Sequence, residues 1–324
     1  MMGKKILVTG GMGFLGAALV RRLISSDHVV RVLDNGFRSN PEKFADVINE
    51  IEMVSADIRD AEAVYQAIRG VDTVIHLAAV NGTEFFYSKP DLVLEVGVKG
   101  ILNVLDGCIK AGVDDVIVAS SSEVYQTPDQ IPTDETASLM IPDVTNPRYS
   151  YGGSKILTEL MALHYGKSHF KRICLFRPHN VYGPDMGYEH VLPQFIVRAA
   201  ELIELYPSGR VPFPIQGSGE QTRAFIHIDD MVEGMILLLE KGENSQIYHI
   251  GNPEEMTIAQ LTKKIAAYFG REFSLQEGAL QMGSTERRCP DISKIKSLGF
   301  SPKISLNEGL PSIIDWYTKH RKKR

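Results

Sequence analysis

A tyrosine and a lysine lie four positions apart, at Tyr151 and Lys155, a spacing that places both side chains on one face of a helix. A phenol ordinarily titrates near pH ~10, so a tyrosine acting as a base near neutrality needs its phenolate stabilised by about 4 kcal/mol. A neighbouring ammonium group and an oxidised nicotinamide ring both supply positive charge for that task. The pair therefore predicts a Tyr151 base assisted by Lys155, which could also hold the nicotinamide ribose. A surface Tyr–Lys pair without function has the same spacing.

Three serines and a glutamate follow the fifth strand-sized apolar segment, as Ser120, Ser121, Ser122 and Glu123. In a parallel α/β sheet, ligands bind at the carboxyl ends of the strands. Hydroxyl groups placed there can hydrogen-bond to a sugar oxygen while charge develops on it during oxidation. The segment therefore predicts a second part of the same catalytic site.

A glycine-rich turn follows the first apolar segment and opens the first helical one. Its glycines permit a tight turn, a close approach of the backbone to a pyrophosphate and close packing of the helix on the sheet. The first-turn N–H groups and the helix dipole would then face the phosphates. The turn predicts a dinucleotide site whose contacts include Gly10, Gly13, Phe14, Leu15 and Gly16.

Asp34 lies 18 residues after Gly16, at the end of the second apolar segment. A carboxylate there can accept hydrogen bonds from both ribose hydroxyls and would repel a 2′-phosphate, which favours NAD over NADP. Arg38 is close enough in sequence to weaken that preference, and an ordinary turn residue before Asn35-Gly36 is the alternative interpretation of Asp34. The remaining predicted cofactor contacts follow the second, third and fourth apolar segments and are Asn35, Asp57, Ile58, Leu77, Ala78 and Ala79.

Strand-sized apolar segments alternate with amphipathic helical segments through the first two-thirds of the chain. The predicted strands cover residues 6–8, 29–33, 51–54, 73–77, 116–119, 173–176 and 246–250, and the predicted helices residues 14–26, 61–68, 92–111 and 150–168. Apolar strands flanked by helices are typical of a parallel sheet covered on both faces. The sequence therefore predicts an α/β fold, a Rossmann-like doubly wound parallel sheet with a smaller C-terminal substrate lobe. The predicted NAD-binding domain is 1–178 plus 216–251, and the predicted lobe is 179–215 plus 252–324.

Composition excludes several other classes of function. The 324 residues carry a formal net charge of −5, which gives no electrostatic footprint for nucleic acid. No apolar run approaches the ~20 residues of a membrane-spanning helix. Three widely spaced cysteines suit a reducing compartment, so a cytoplasmic protein without a signal peptide is expected.

His227 and Asp229 alternate along a strand-like run, but two candidate ligands without a third do not predict a metal site.

Together these motifs resemble the extended short-chain dehydrogenase/reductases and, more narrowly, the NAD-dependent nucleotide-sugar epimerase/dehydratase family. The resemblance rests on the glycine turn of residues 9–16, the serine-rich turn of residues 119–125 and the Tyr151–Lys155 pair. It continues through residues 177–184, 217–230, 251–253 and 287–294. The resemblance covers nearly the whole chain and implies an enzyme that uses NAD.

The resemblance also implies roles for individual residues. Ser121 matches the catalytic Ser/Thr, Tyr151 the base and Lys155 its partner. The substrate contacts implied are Ser122, Asn180, Arg223 and Arg288, with Arg287 as a substitute. A diphosphate favours the forked donors of guanidinium groups. Without the family, each arginine would be interpreted as a solvated surface charge.

The implied first step is oxidation of the sugar at C4, after which three outcomes are open. These are rotation and re-reduction by a 4-epimerase, loss of water across C5–C6, and loss of a C6 carboxylate. Glu123 favours the two eliminations, because simple 4-epimerases need no carboxylate there, whereas Ser122 disfavours a dehydratase branch with Asp at that position. Residues 79–90 depart from the decarboxylase pattern, and Gly97 stands where many members have Asn.

Two further predictions concern assembly and the absence of catalysis. In this family the helices equivalent to residues 92–111 and 150–168 form a four-helix dimer contact, so a homodimer is expected, although apolar faces there could equally be core. A non-catalytic dinucleotide sensor on the same fold is the alternative from another class. Such proteins often lose the Tyr or Lys, whereas this chain keeps Ser121, Tyr151 and Lys155 together.

Overall fold

The computed structural model describes residues 3–38, 44–165, 167–279 and 285–321. Strands and helices alternate along this part of the chain. The strands are β1 (Lys5–Thr9), β2 (Val29–Asp34), β3 (Ile51–Ser55), β4 (Thr73–His76), β5 (Asp115–Ala119), β6 (Arg172–Pro178), β7 (Val181–Tyr182), β8 (Val211–Gln216), β9 (Thr222–Ala224), β10 (Ile226–His227), β11 (Gln246–Ile250), β12 (Glu255–Thr257), β13 (Phe273–Gly278) and β14 (Arg287–Arg288).

The helices of the same ranges are α1 (Phe14–Ile24), α2 (Ala61–Ile68), α3 (Thr83–Ser88), α4 (Pro90–Leu94), α5 (Gly100–Ala111), α6 (Ser150–Leu160), α7 (Val191–Leu205), α8 (Ile228–Lys241), α9 (Ile258–Tyr268), α10 (Ser293–Ser297) and α11 (Leu306–His320). None of the helices in the described ranges is both long and apolar enough to cross a bilayer.

The main sheet has the order β11-β6-β5-β4-β1-β2-β3, and all its strand pairs are parallel. These seven strands are the seven that the sequence predicts, so the Rossmann-like, doubly wound class is confirmed. The chain builds outward from β1 on one side and from β4 on the other. The strand order therefore reverses between β1 and β4, and in such sheets the crevice at the reversal is where ligands bind.

Apolar side chains alternate across β1 and join a different core on each face. Ile6 and Val8 pack with α1 and α8, whereas Leu7 packs with α2, α5 and α6. This is the alternation that a strand buried on both faces must have. A third apolar cluster joins α7, α9 and α11 around Phe213, which gives the lobe a core of its own.

The long helix predicted for residues 92–111 is interrupted in the structure. Wider π-helical turns at Glu95–Lys99 separate α4 from α5. Within them, a Cβ added to Gly97 would lie 2.7 Å from the Cβ atom of Ser154 on α6. Gly97 therefore allows the two helical segments to approach closely, and an asparagine at this position would require them to separate.

A buried ion pair ties α6 to the sheet. Arg177 on β6 donates through Nε and Nη2 to the two carboxylate oxygens of Glu159, at 2.8 and 2.6 Å, and both side chains are at most 4% exposed. The Ser120 hydroxyl donates to the same carboxylate at 2.5 Å. The pair thus fixes the serine-rich turn after β5 against the helix that carries Tyr151 and Lys155.

Replacing Arg177 by methionine would leave the Glu159 carboxylate buried without its partner. We expect the free energy of unfolding to fall by about 3–5 kcal/mol, measured by urea denaturation. The double variant Arg177→Met, Glu159→Leu removes both charges and should recover much of this loss. A single variant within about 1 kcal/mol of the parent protein would contradict the role given to the pair.

Candidate active site

A cavity of about 510 Å³ opens at the carboxyl edge of the sheet. It contains all the residues predicted to contact the cofactor, apart from Tyr151 and Lys155. They are Gly10, Gly13, Phe14, Leu15, Gly16, Asp34, Asn35, Asp57, Ile58, Leu77, Ala78 and Ala79. Residues of the lobe, Asp185 to His190 apart from Glu189, complete the lining on the opposite side.

The glycine turn between β1 and α1 leaves no room for side chains at two positions. Gly10 has φ +69°, and a Cβ there would lie 2.8 Å from the backbone of Ala78. A Cβ on Gly16 would lie 2.2 Å from the carbonyl oxygen of Gly10. The backbone at the start of α1 therefore comes to the surface of the cavity, which is the arrangement that a pyrophosphate requires.

Asp34 lies at the end of β2 and is held by backbone donors. The amides of Met12 and Gly36 donate to its two carboxylate oxygens at 3.0 and 2.9 Å. Arg38 hydrogen-bonds to the carbonyl oxygen of Asn81 and to the carboxylate of Glu189. Its guanidinium therefore spans the cavity instead of neutralising Asp34, and the arrangement fits the ribose hydroxyls of NAD better than a 2′-phosphate.

Asp57 is fixed beside Asp34 by its own partners. Arg59 binds it with a fork of two hydrogen bonds of 2.9 Å, and the Asn35 amide donates to it at 3.0 Å. The Arg59 guanidinium lowers the pKa of Asp57 to about 2, against the opposing effect of burial. The carboxylate is therefore ionised and oriented at neutral pH.

Tyr151 and Lys155 point to the same region from α6 and are buried. Burial raises the pKa of Tyr151 to about 12, and the hydrogen bond with Ser121 only partly opposes this effect. The Lys155 ammonium donates to the carbonyl oxygen of Ala119 at 2.8 Å and lies 5.8 Å from the centre of the tyrosine ring. Burial lowers the pKa of Lys155 to about 8, although the charge of Glu159 opposes this shift. The expectation of a phenol made acidic by Lys155 is therefore not met by these two side chains alone.

Glu123 follows Ser121 in the turn after β5, and its backbone N–H donates to the Ser121 hydroxyl at 3.1 Å. Its carboxylate binds Arg288 at 2.6 Å and lies 3.5 Å from Arg148. Burial alone would raise the pKa of Glu123, but Arg288 and Arg148, with Arg223 further away, outweigh burial and lower it. A carboxylate thus stands close to the Tyr151–Ser121 pair.

The predicted substrate arginines are divided by the alternation of side chains along β14. Arg288 is buried and reaches Glu123, whereas Arg287 is half-exposed and forms an ion pair with Glu255 at 2.5 Å. The structure therefore does not bring Arg287 into the site. Arg223 lies opposite Arg288 in the paired strand β9, and burial lowers the pKa of Arg223 to about 10.

Asn180 and Arg223 line a smaller cavity of about 100 Å³ next to the first one. The Asn180 side chain donates to the carbonyl oxygen of Ala224 at 3.0 Å. Ser122 is buried at the start of the turn that carries Glu123.

Three histidines lie near the site or the lobe. His190 borders both cavities, and His179 is buried against His249. His227 caps α8 by accepting a hydrogen bond from the amide of Asp229.

Two residues that sequence reasoning missed complete the site. Phe86 stacks on the Tyr151 ring with centroids 5.2 Å apart and an angle of 11° between the planes. Arg148 lies over the Phe86 ring, with its Cζ atom 5.5 Å from the ring centre. Arg148 stands three residues before Tyr151, which was the available signal, but nothing in that spacing shows that its side chain reaches Glu123.

The fold and the cavity define an oxidoreductase-type dinucleotide site of the extended short-chain dehydrogenase/reductase class. A family model described as the NAD-dependent epimerase/dehydratase family matches residues 6–251. The chain belongs to this family, is an enzyme of it and uses NAD. The alternative of a non-catalytic sensor is set aside.

Individual relatives cover nearly the whole chain. A UDP-N-acetyl-alpha-D-glucosaminuronate decarboxylase of Bacillus cytotoxicus is 30% identical over 98% of both chains. The solved dTDP-glucose 4,6-dehydratase DesIV of Streptomyces venezuelae, with NAD and TYD bound, is 30% identical with a TM-score of 0.86 over 98% of both chains. The solved UDP-glucose 4-epimerase of Thermotoga maritima is 27% identical with a TM-score of 0.85 over 98% of this chain and 100% of that one.

Replacing Asp34 by asparagine tests the preference for NAD. Loss of the charged acceptor should weaken NAD binding by roughly tenfold or more and reduce the discrimination against NADP, measured by titration of both dinucleotides. The exposed Asp46→Asn, outside the cavity, is the matched control and should change neither affinity. An unchanged ratio of NAD to NADP affinity in the Asp34 variant would contradict the assignment.

Proposed function

We propose that this enzyme oxidises the sugar of a nucleoside-diphosphate sugar at C4 and then carries out an elimination at C5 or C6. One observation carries the proposal. Beside the dinucleotide cavity, a phenol, a hydroxyl and an ionised carboxylate converge at Tyr151, Ser121 and Glu123. A tyrosine and a serine suffice for oxidation, so the carboxylate points to a second reaction.

The residues around the larger cavity would hold the cofactor. Asp34 would accept the ribose hydroxyls, the turn from Gly10 to Gly16 would hold the pyrophosphate, and Asp57 and Ile58 would border the adenine. When bound, NAD would supply a hydride acceptor for the oxidation at C4 and a hydride donor for the later reduction of the product. Tyr151 takes the proton of the C4 hydroxyl, Ser121 hydrogen-bonds to the same oxygen, and Lys155 binds the nicotinamide ribose.

The lobe, together with Arg223 of the adjoining range 216–251, would bind the nucleoside diphosphate. A diphosphate needs forked cationic donors, and Arg223 on β9 lies beside Arg288 on the neighbouring strand β14. Asn180 would contact the diphosphate from the end of β6. In this proposal 1–178 plus 216–251 bind NAD, and 179–215 plus 252–324 bind the nucleotide sugar.

Of the two eliminations, the electrostatics of Glu123 favour decarboxylation. Its lowered pKa makes it a weak base, and dehydration needs a base to remove the C5 proton while hydroxide leaves C6. Decarboxylation removes no C5 proton: the C5–C6 bond breaks, carbon dioxide leaves, and the electron pair passes into the 4-keto group, while the ionised Glu123 carboxylate would orient C5 and C6 for this step. C5 then takes up a proton from solvent or from an acid. Decarboxylases also recur among the relatives, for example UDP-glucuronic acid decarboxylase 1 of Xenopus tropicalis.

The second candidate is 4-epimerisation. Glu123 is bound to Arg288 and Arg148, and a carboxylate with two such partners can serve to hold the turn that carries Ser121. In that case no bond beyond C4 would break. The fold of the UDP-glucose 4-epimerase named above supports this alternative equally well.

A panel of UDP-, GDP- and dTDP-linked hexoses and hexuronates, followed by mass spectrometry of the products, tests the proposal. We expect loss of about 44 mass units from a hexuronate, or of about 18 from a hexose, because elimination removes carbon dioxide or water. Tyr151→Phe, which lacks the proton acceptor, should lose most turnover and still bind NAD. Interconversion of 4-epimers without either mass loss would overturn the elimination and establish the second candidate.

We propose that the protein is a homodimer formed through the helical segments of residues 92–111 and 150–168. Leu157 and Leu160, three residues apart on one face of α6, are exposed. Leu94 at the end of α4 and Tyr165 beyond α6 are also exposed, and these four large side chains are candidates for burial in the interface.

We also propose that the enzyme is cytoplasmic, because its three cysteines are buried free thiols.

Replacing Leu157 and Leu160 together by glutamate places charges in the proposed interface. The variant should be monomeric at concentrations where the parent protein is dimeric, measured by sedimentation velocity. Leu205→Glu, at a residue that is 68% exposed on α7, is the matched control and should remain dimeric. A monomeric parent protein, or a double variant that still dimerises, would contradict the interface.

A further inference from the structure

Arg148 contacts both the carboxylate of the site and the aromatic ring that stacks on Tyr151. Its Cζ atom lies 5.5 Å from the Phe86 ring centre, and that ring stacks on Tyr151. Its Nη2 atom lies 3.5 Å from the carboxylate of Glu123. The Arg148 side chain is 15% exposed and that of Glu123 is 21% exposed, so neither is fully enclosed by the protein.

The turn that carries Arg148 also begins the catalytic helix. Residues Pro147–Tyr149 form a single 3-10 turn directly before α6, and the Asn146 side chain accepts from the Arg148 amide at 3.0 Å. Arg148 is therefore fixed to the same element as Tyr151 and Lys155. Its distance to Glu123 depends on the NAD-binding part of the molecule alone.

The other partner of Glu123 is placed differently. Arg288 comes from β14 of the lobe and also donates to the Thr285 hydroxyl at 3.0 Å. Under the proposed function Arg288 binds the substrate diphosphate, so the diphosphate and Glu123 compete for one guanidinium. A carboxylate left in this buried place without a counter-ion would take up a proton.

We propose that Arg148 is the positioning residue that keeps Glu123 ionised and oriented toward C5 and C6 of the sugar once Arg288 binds the diphosphate. This inference rests on the proposed function for the role of Glu123 and of Arg288. Its physical basis is that Arg148 is held by a cation–π contact with Phe86 and by the Asn146 cap of its turn. Arg148 acts through Glu123 and contacts no reacting atom.

The direction of the pH effect follows from the groups that face Glu123. These are Arg148 from the turn before α6, Tyr151 from α6, Arg223 from β9 and Arg288 from β14. Removing the charge of Arg148 leaves burial less opposed and raises the pKa of Glu123. Activity that needs the carboxylate is lost as the pH falls through this pKa, so the acidic limb of kcat moves to higher pH.

The first experiment compares Arg148→Gln, Arg148→Lys and Arg288→Gln with the parent protein on the sugar that reacts in the panel, from about pH 3.5 to about pH 9. Arg148→Gln should move the acidic limb of kcat upward by about one pH unit, with KM changed less than about threefold. Arg148→Lys should return the acidic limb of kcat most of the way to its position in the parent protein. Arg288→Gln should raise KM by roughly tenfold or more. An unmoved limb, or a lysine variant no better than the glutamine variant, would overturn the proposal.

The second experiment needs no substrate and so separates this proposal from the proposed function. Glutamate carboxyl groups labelled with ¹³C are titrated by NMR in Arg288→Gln and in the double variant Arg148→Gln, Arg288→Gln, with Glu123→Gln identifying the resonance. Glu123 should keep a lowered pKa in the single variant, and its pKa should rise by about one unit or more in the double variant. Equal pKa values in the two would overturn the role of Arg148, whereas failure of every sugar in the panel would overturn only the reaction.

Discussion

The burial of the Tyr151 phenol is the constraint on which the rest of the site depends. Burial raises its pKa to about 12, so the phenol is neutral at neutral pH and its ionisation there is costly. Lys155 is bonded to the carbonyl oxygen of Ala119 and not to the phenol, so this side chain does not remove the cost. Under the proposed function, an oxidised nicotinamide bound in the cavity would supply positive charge near the phenol.

The polar groups beneath the site are arranged to keep Lys155 charged in spite of its own burial. Glu159, one helical turn after Lys155, opposes the lowering of its pKa, and Arg177 compensates Glu159 from β6. Ser120 donates to the same carboxylate, so the turn with Ser121 is fixed by the group that supports the lysine. The Ser120 hydroxyl and the Lys155 ammonium therefore both interact with the buried Glu159 carboxylate. The position of the serine-rich turn relative to Lys155 is thus set by buried groups.

Local features of the sequence predicted the fold and most of the cofactor cavity. The strands of the main sheet are short apolar segments, and a parallel sheet with crossover helices brings the ends of β1 to β4 to one edge, so residues far apart in sequence, such as Gly10 and Ala78, meet there. The break at Glu95–Lys99 was missed, because it depends on the contact of Gly97 with Ser154. The exclusion of Arg287 and the contact of Arg148 with Glu123 were missed for a similar reason. Both depend on how the lobe and the loop before α6 pack, which no spacing within one segment encodes.

The placement of Arg288 couples the two parts of the molecule. Strand β14 consists of Arg287 and Arg288. Arg287 faces outward and binds Glu255, which holds the strand in position, while Arg288 enters the site. Since Arg288 binds Glu123 across the cleft, the lobe and the serine-rich turn are joined by a charge pair that an anionic ligand can enter. A neutral sugar with no diphosphate would gain nothing from opening this pair, because it offers no charge to replace the carboxylate. Under the proposed function, the same contact would disfavour free sugars and let a diphosphate change the surroundings of Glu123.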